Sequence, residues 1–442
     1  MEMRGRLNIF QRTMLQWDSF HPYNAVVLIK LPGRLNGERL RASLDAVIER
    51  FGIGAFSFDR TLGTYEYPDG QYQVELRVIP GGEDCRQTVH NEVGLQLNRR
   101  FIGEGGTVTP VRFFAVEGEG FFYLGLVYFH VIADGYSIFR VIRDIVGCYK
   151  GETHPTEAQQ PDLYPEIYTD LFKRRPLLFF LKGLTLPAFV SGLRRACKPF
   201  AMYHTHDQSI AYHSMTCDRQ FATVLPAAAK KWGVTQHDIF LAIIFKVIAP
   251  FVPSKKVTDR KRKMALGSVI NISRDLGIDL SRSFGVFLSS FAVSHSDPAG
   301  RPLETLAREI RALTSGIKKR RKYLVTLFEQ WMGLKWMPFL PREQKIKFYP
   351  KNYPLWAGVT NVNYAALLDD VPGAGGLVLS AAAPTGPNCP VVFAITRGRE
   401  TIDIGLSYRV EVFTREEIEK IEVDFLRYTR EIAMIIQMEE GI

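Results

Sequence analysis

One stretch restricts the folds open to this chain more than any other. Gly120-Phe121-Phe122-Tyr123-Leu124-Gly125-Leu126 is apolar, aromatic and bounded by glycines, a pattern that predicts a buried strand rather than a helix. Beyond it Ile138, Phe139, Val141, Ile142, Ile145 and Val146 recur at helical spacing, and Asp134 or Ser137 can cap the first turn. The join is His130-Val131-Ile132-Ala133-Asp134-Gly135, so His130 falls where a buried strand ends and a loop begins. A histidine so placed can tie one ring nitrogen to the backbone and present the other to a cleft, with a pKa suited to general-base chemistry near neutral pH. The spacing turns Asp134 away from the histidine's target and toward a cation behind it, which makes the carboxylate architectural. A satisfied core histidine is the competing reading. The strand before, the helix after and Ser137 just past Gly135 weigh against it.

Composition narrows the partners. The 442 residues suffice for two domains with sizeable cores, and a formal net charge of +10 favours an anionic partner: a CoA-type phosphate, an acidic carrier protein or an anionic membrane face. Nucleic acid is not expected, since neither zinc-finger spacing nor an RNP-type aromatic motif accompanies the charge. Cys85, Cys148, Cys197, Cys217 and Cys389 are few, odd in number and widely spaced, which argues for a reducing compartment. No apolar leader follows Met1, so a cytoplasmic protein is expected, with peripheral membrane contact left open.

His130, Asp134 and Gly135 resemble the His-x-x-x-Asp-Gly signature shared by chloramphenicol acetyltransferase, BAHD acyltransferases, condensation domains of nonribosomal peptide synthetases and the alcohol acetyltransferases. The resemblance implies a mixed α/β fold of two chloramphenicol-acetyltransferase-like lobes stacked around a central tunnel, with His130 midway along it as general base. One departure stands beside it. Phe129 occupies the place where condensation domains usually carry a second histidine. The BAHD DFGWG motif is also absent, so the pattern looks most similar to the alcohol acetyltransferase and stand-alone condensation-domain group.

The rest of the chain divides on that scheme into an N-terminal lobe (1–175), an inter-lobe segment (176–213) and a C-terminal lobe (214–442). Asn24–Leu31 reads as a strand ended by Pro32-Gly33, followed by a helix with Asn36 as cap and Leu40, Leu44, Val47, Ile48 and Phe51 on one face. In the inter-lobe segment the apolar run from Pro176 to Leu193 is interrupted by Lys182, Gly183 and Pro187, which disfavours a spanning helix. Packing between the lobes is the favoured reading of this run. Its flanking basic clusters would also suit a segment lying on a membrane surface. His204, His206, His213 and Cys217 can be counted as metal ligands, but no metal is expected, because the acyltransferase chemistry implied by the resemblance needs none.

In the second lobe Pro226 is expected to head a short Ala-rich helix, and Thr235 with Asp238 to open a buried one. Ala265 to Arg274 reads as a strand with an arginine at its end, and Ser283-Phe284-Gly285-Val286-Phe287-Leu288-Ser289-Ser290 follows. This pairing is similar to the superfamily's strand with a terminal arginine and its Gly-x-Phe segment. The resemblance implies Arg274 as the partner of Asp134, a guanidinium holding the carboxylate bidentately, and Ser289 as a substrate-lining position. Gly358-Val359-Thr360-Asn361-Val362-Asn363-Tyr364 looks like the corresponding Ser/Thr-Asn segment, which makes Asn361 a candidate for tunnel lining or oxyanion support. Lys318, Lys319, Arg320, Arg321 and Lys322 form either a solvated helix face or a landing site for the donor's phosphates. The aromatic segment from Phe328 to Phe348 reads as core or as a greasy tunnel wall. Thr414 with Glu417 is a capping box for the last helix.

The expected activity is acyl transfer from a thioester, on CoA or on a phosphopantetheinyl carrier protein, to a hydroxyl or amine on a small-molecule or lipid acceptor. No permanently bound cofactor is expected, and the protein is expected to be a monomer. Two other classes stand against it: a non-catalytic relative that binds a carrier domain or lipid, and a membrane-surface binding protein built on the basic segments.

Overall fold

The computed structural model describes residues 3–68, 73–101, 106–151, 162–163, 167–174, 176–200, 207–253, 263–365 and 377–440. In chain order the N-terminal lobe contributes α1 (Ile9–Asp18), β1 (Asn24–Pro32), α2 (Gly37–Phe51), β2 (Glu75–Pro80), α3 (Cys85–Asn98), β3 (Val111–Gly118), β4 (Phe121–Phe129) and α4 (Gly135–Lys150). Next come α5 (Pro176–Ala196), β5 (Ile210–Cys217), α6 (Arg219–Trp232), α7 (Gln236–Ile248), β6 (Met264–Asn271) and β7 (Leu288–His295). The chain continues through α8 (Leu303–Lys319), α9 (Tyr323–Trp336), α10 (Arg342–Asn352), β8 (Ala357–Asn363), β9 (Val378–Ala382), β10 (Val391–Arg397), β11 (Ile402–Arg409) and α11 (Arg415–Glu440).

These elements assemble as two large mixed sheets flanked by helices, with a small four-stranded and a two-stranded sheet beside them, the mixed α/β architecture expected. The first sheet has the order β9-β1-β4-β3-β2 and the second β5-β11-β10-β8-β6-β7. β4 lies at the centre of the first sheet, covered on both faces, which is why its sequence is apolar without alternation. Its antiparallel pairing with β1 sets Asn24 opposite Phe129, so His130 emerges as the sheet ends. α4 starts there because Asp134 turns its carboxylate back onto Ser137 N–H as N-cap, and Ile138, Val141, Ile142 and Ile145 bury the helix face.

β9 crosses between the lobes. It follows four strands of the second sheet in sequence yet pairs with β1, from Val378 opposite Lys30 to Ala382 opposite Val26, so the first sheet is not built from residues 1–175 alone. Close approach makes this possible. A Cβ at Gly405 of β11 would stand 1.8 Å from Ala381 O, and Thr396 Oγ1 of β10 donates to Leu379 O at 2.7 Å.

Three local expectations change. β5 spans Ile210–Cys217 and so runs across the lobe boundary expected at Ser214. α6 begins at Arg219 and carries Pro226 in its interior, because Phe221, Leu225, Ala228, Ala229 and Trp232 form one buried stripe that outweighs the lost backbone bond. α5 runs unbroken through Gly183 and Pro187. Phe179 of α5 is buried against Phe172 and Phe328, whereas Leu177, Phe180 and Leu181 are exposed, so this end of the helix packs on one side only. Among the described residues no single helix is long and apolar enough to cross a membrane.

Candidate active site

His130 is fixed from several directions. Its backbone N–H donates to Tyr23 O at 3.1 Å, and its Nδ1 lies 2.9 Å from Ala133 O. A carbonyl only accepts, so Nδ1 carries the proton and Nε2 keeps a free lone pair. Tyr23 stacks on the imidazole at 5.7 Å between centroids, and Tyr128 meets it edge-on at 5.4 Å. Burial holds the imidazole's pKa below its ordinary 6.5, opposed in part by the Ala133 bond, so the ring is neutral and basic at neutral pH. A neutral imidazole with a free Nε2 lone pair can take up a proton there.

Asp134 does not pair with Arg274. Its Oδ1 accepts from Ser137 N–H at 3.0 Å and its Oδ2 from Phe287 N–H at 3.2 Å, while its own N–H donates to Gly285 O at 2.9 Å. Ser137 Oγ donates to Gly285 O at 3.1 Å and lies 3.2 Å from Gly285 N–H, from which it can accept. Arg140 Nη1 adds bonds to Leu280 O and Ser283 O, each at 2.9 Å. The loop after His130 is thus clamped to residues 280–287 of the other lobe by backbone groups, where an arginine was expected. Arg274 is exposed instead, because β6 stops at Asn271 and the one-turn helix Ser273–Leu276 carries it away from the carboxylate to the cavity wall. Burial raises the Asp134 pKa to about 6, against the Ser137 and Phe287 N–H groups that favour its charged form.

His130, Asp134 and Gly135 open onto a cavity of about 1500 Å³ with walls from both lobes. α1 contributes Phe10, Thr13, Gln16 and Trp17, and α9, which packs against α1, contributes a further stretch of the wall. Gly135 is the first residue of α4. A Cβ there would sit 3.5 Å from Val362 Cγ2, an ordinary contact, so the residue leaves room rather than relieving strain.

The other expected positions separate. Asn361 and Asn363 both line the cavity, as do Thr360 and Val362 between and beside them, and Asn361 Oδ1 accepts from Arg397 Nε at 2.9 Å. Arg397 also reaches Gln236 Oε1. Ser289 is a correction. It faces away from the cavity, fully buried, and its hydroxyl donates to Tyr323 O at 2.6 Å, while its neighbour Ser290 lines the cavity. In the basic run, Lys318 and Lys319 end α8, Arg321 pairs with Asp275 at 3.1 Å, and Arg320 and Lys322 line the cavity. His213 bonds Glu422 Oε2 at 2.5 Å, Cys217 is buried, and His204 and His206 lie outside the described residues.

Several cavity residues escaped the sequence reading. α1 was detectable: Asn8 and Gln11 form a reciprocal capping box that opens it. Ser268 also lines the cavity and lies 2.8 Å from His237 Nε2. Glu329 lay within the aromatic segment as its acid, on a helix otherwise read as core.

No family model matches the sequence, and no curated protein is similar to it at the sequence level. Solved structures do match. The first condensation domain of the CDA synthetase is similar with a TM-score of 0.68 at 14% identity, over 98% of this chain and 96% of that one. The EpoB cyclization–docking bidomain from Sorangium cellulosum gives 0.69 at 13% identity, over 98% of this chain and 84% of that one. The epimerization domain from the third module of tyrocidine synthetase B gives 0.64 at 11% identity, over 100% of this chain and 98% of that one. At such identities the likeness concerns backbone architecture, and over nearly its whole length this chain has the two-lobed condensation-domain fold.

Proposed function

We propose that this protein is an acyltransferase that moves an acyl group from a thioester to a hydroxyl or amine, with His130 as general base. The observation that carries the reading is the tautomer of His130: Nδ1–H is spent on Ala133 O, which leaves a basic Nε2 on a ring that lines the inter-lobe cavity. Nε2 takes the acceptor's proton as the acceptor attacks the thioester carbonyl, and returns it to the leaving thiolate. General-base help contributes roughly 10²- to 10⁴-fold, so positioning by the cavity walls must supply the remainder. Asn361, held by Arg397, is a polar group available to the developing oxyanion. The donor in this reading is acyl-CoA or an acylated phosphopantetheinyl carrier, drawn toward Arg320 and Lys322 at the cavity wall.

The test is mass spectrometry of products after incubation with a panel of acyl-CoA and acyl-phosphopantetheine thioesters and a panel of hydroxyl and amine acceptors. The expected result is a covalent acyl product with the wild type and its near-complete loss in His130→Ala at an unchanged melting temperature. Turnover above a tenth of wild type in His130→Ala would remove the histidine from the base role.

A further inference from the structure

α9 turns one face to the cavity: Val325, Thr326, Glu329, Gln330, Gly333 and Trp336 recur at helical spacing and all line it. On that face Glu329 stands apart by what it lacks. The residue is 8% exposed, its Oε2 accepts from Tyr353 Oη at 3.2 Å, and its Oε1 is buried without a partner. No ion pair reaches it among the described residues, although Arg274, Arg320 and Lys322 line the same cavity. Burial without a counter-ion raises its pKa from 4.5 to about 7, opposed by the single Tyr353 bond. Gln330 Oε1 is likewise buried and unpartnered. Two acceptor oxygens on consecutive cavity-lining residues therefore have nothing to accept from, a condition that native interiors rarely tolerate.

The surroundings point to what is missing. Trp17, Phe348, Tyr349 and Tyr353 line the same cavity, with Trp17 and Tyr349 edge-to-face at 5.7 Å and Phe348 and Tyr349 at 5.6 Å. Aromatic rings attract a cation through their quadrupole, and a carboxylate beside them supplies the opposite charge and an acceptor. A neutral hydroxyl would satisfy one oxygen and leave the rings unused. Toward the base, Trp17 packs on Tyr23 at 5.4 Å and Tyr23 stacks on His130, so one aromatic wall joins the two ends.

Resting on the acyl-transfer reading above, we propose that Glu329 is a specificity-determining residue that binds a cationic nitrogen of the substrate, distinct from the group that is acylated. A nitrogen held as a cation has no lone pair with which to attack a thioester, so the nucleophile or acyl carbon must lie elsewhere on the molecule, near His130. The substrate is then a cationic amphiphile, with its apolar body along the cavity and its charge between Glu329 and the rings. Gln330 Oε1 accepts a second N–H where the nitrogen carries more than one.

Isothermal titration of the full-length protein with three probes of equal chain length decides the matter: n-octylamine and octyltrimethylammonium, both cationic at neutral pH, and 1-octanol. The two cations should bind the wild type about tenfold more tightly than octanol, a difference of roughly 1.4 kcal/mol. Glu329→Gln should abolish that preference while retaining the affinity for octanol. Glu329→Met, which keeps the length and removes both oxygens, makes the same comparison where Glu329→Gln does not fold. Equal affinities for the three probes in the wild type, or a cation preference that survives loss of the carboxylate, overturn the proposal. Binding is read without turnover, so a protein that transfers no acyl group yet prefers the cations refutes the acyl-transfer reading and leaves the Glu329 assignment standing.

Discussion

Asp134 and Glu329 are buried acids on the wall of one cavity, and the protein treats them in opposite ways. Both Asp134 oxygens are met by backbone N–H groups, one from its own helix and one from the other lobe. Glu329 receives one phenol and leaves an oxygen bare. The first arrangement is complete without any ligand, as a loop that positions a base must be if the base is to meet each substrate in the same geometry. The second is incomplete and pays for that in stability, which is tolerable only where something else supplies the missing contact. One acid is satisfied within the fold, and the other keeps an unused acceptor.

The contrast can be broken most severely at Asp134. Asp134→Ala removes an N-cap and leaves Phe287 N–H buried without an acceptor, so urea unfolding should show a loss on the order of 3 kcal/mol. Asp134→Asn retains an acceptor for Ser137 N–H and should lose about half as much. Arg274→Ala should change stability by less than about 0.5 kcal/mol, and the double variant should be additive. Coupling between the two would restore the ion pair that the geometry denies.

Glu329→Gln should act in the other direction and only over part of the pH range. The folded-state pKa of about 7 lies above the ordinary 4.5, so the native state holds a proton that the unfolded chain has already released between those values. Wild-type stability therefore falls as pH rises through that window, relative to a side chain that cannot ionise. The advantage of Glu329→Gln should be nil near pH 4, should grow from about pH 4.5, and should level off above pH 7. Its ceiling is on the order of 3 kcal/mol before any cost of burying the amide. A pH-independent difference would mean that the carboxyl has the same pKa in the folded and unfolded chain, so that burial does not shift it.

These two acids also mark how far the sequence could be read. Asp134 as N-cap, Asn36, the Thr235–Asp238 box and the Thr414–Glu417 box are all realised, because each rests on residues within one helical turn. The partner of Asp134 was missed because it lies 153 residues away and is a backbone N–H, which any residue type supplies. The pairing of β9 with β1 was missed for a similar reason: a strand late in the chain shows its apolar residues but not which sheet receives them. Glu329 left one faint signal, a lone acid on a helix that is predominantly apolar and aromatic.

Ser289 and Ser290 show the same limit at the scale of a single residue. Successive side chains on a strand point to opposite faces, so choosing between adjacent serines amounts to choosing a register. Ser289→Ala should cost about 1 kcal/mol through the lost bond to Tyr323 O and leave probe binding unchanged. Ser290→Ala, on the cavity face, should do the reverse. If their effects are exchanged, the register of β7 is off by one.

The smallest effect is expected at the cavity rim, where the basic run divides between structure and function. Arg321 is tied to Asp275 at 3.1 Å, and its backbone takes a positive φ of 47° in the turn that ends α8, so its side chain serves the turn rather than the cavity. Arg320 and Lys322 line the cavity and are exposed, which leaves them free to meet an incoming phosphate. Replacing Arg320 and Lys322 together by glutamine should raise the KM for an acyl-CoA or carrier donor about three- to tenfold and flatten its dependence on salt, with kcat nearly constant. Surface charges act through a screened field, so the effect should shrink as ionic strength rises and vanish near 1 M salt, where the Debye length is about 3 Å. Replacing Lys318 and Lys319, which do not line the cavity, should have a smaller effect on the same slope. Equal KM values and salt slopes for the Arg320/Lys322 variant and the wild type would place the donor's entrance elsewhere on the cavity.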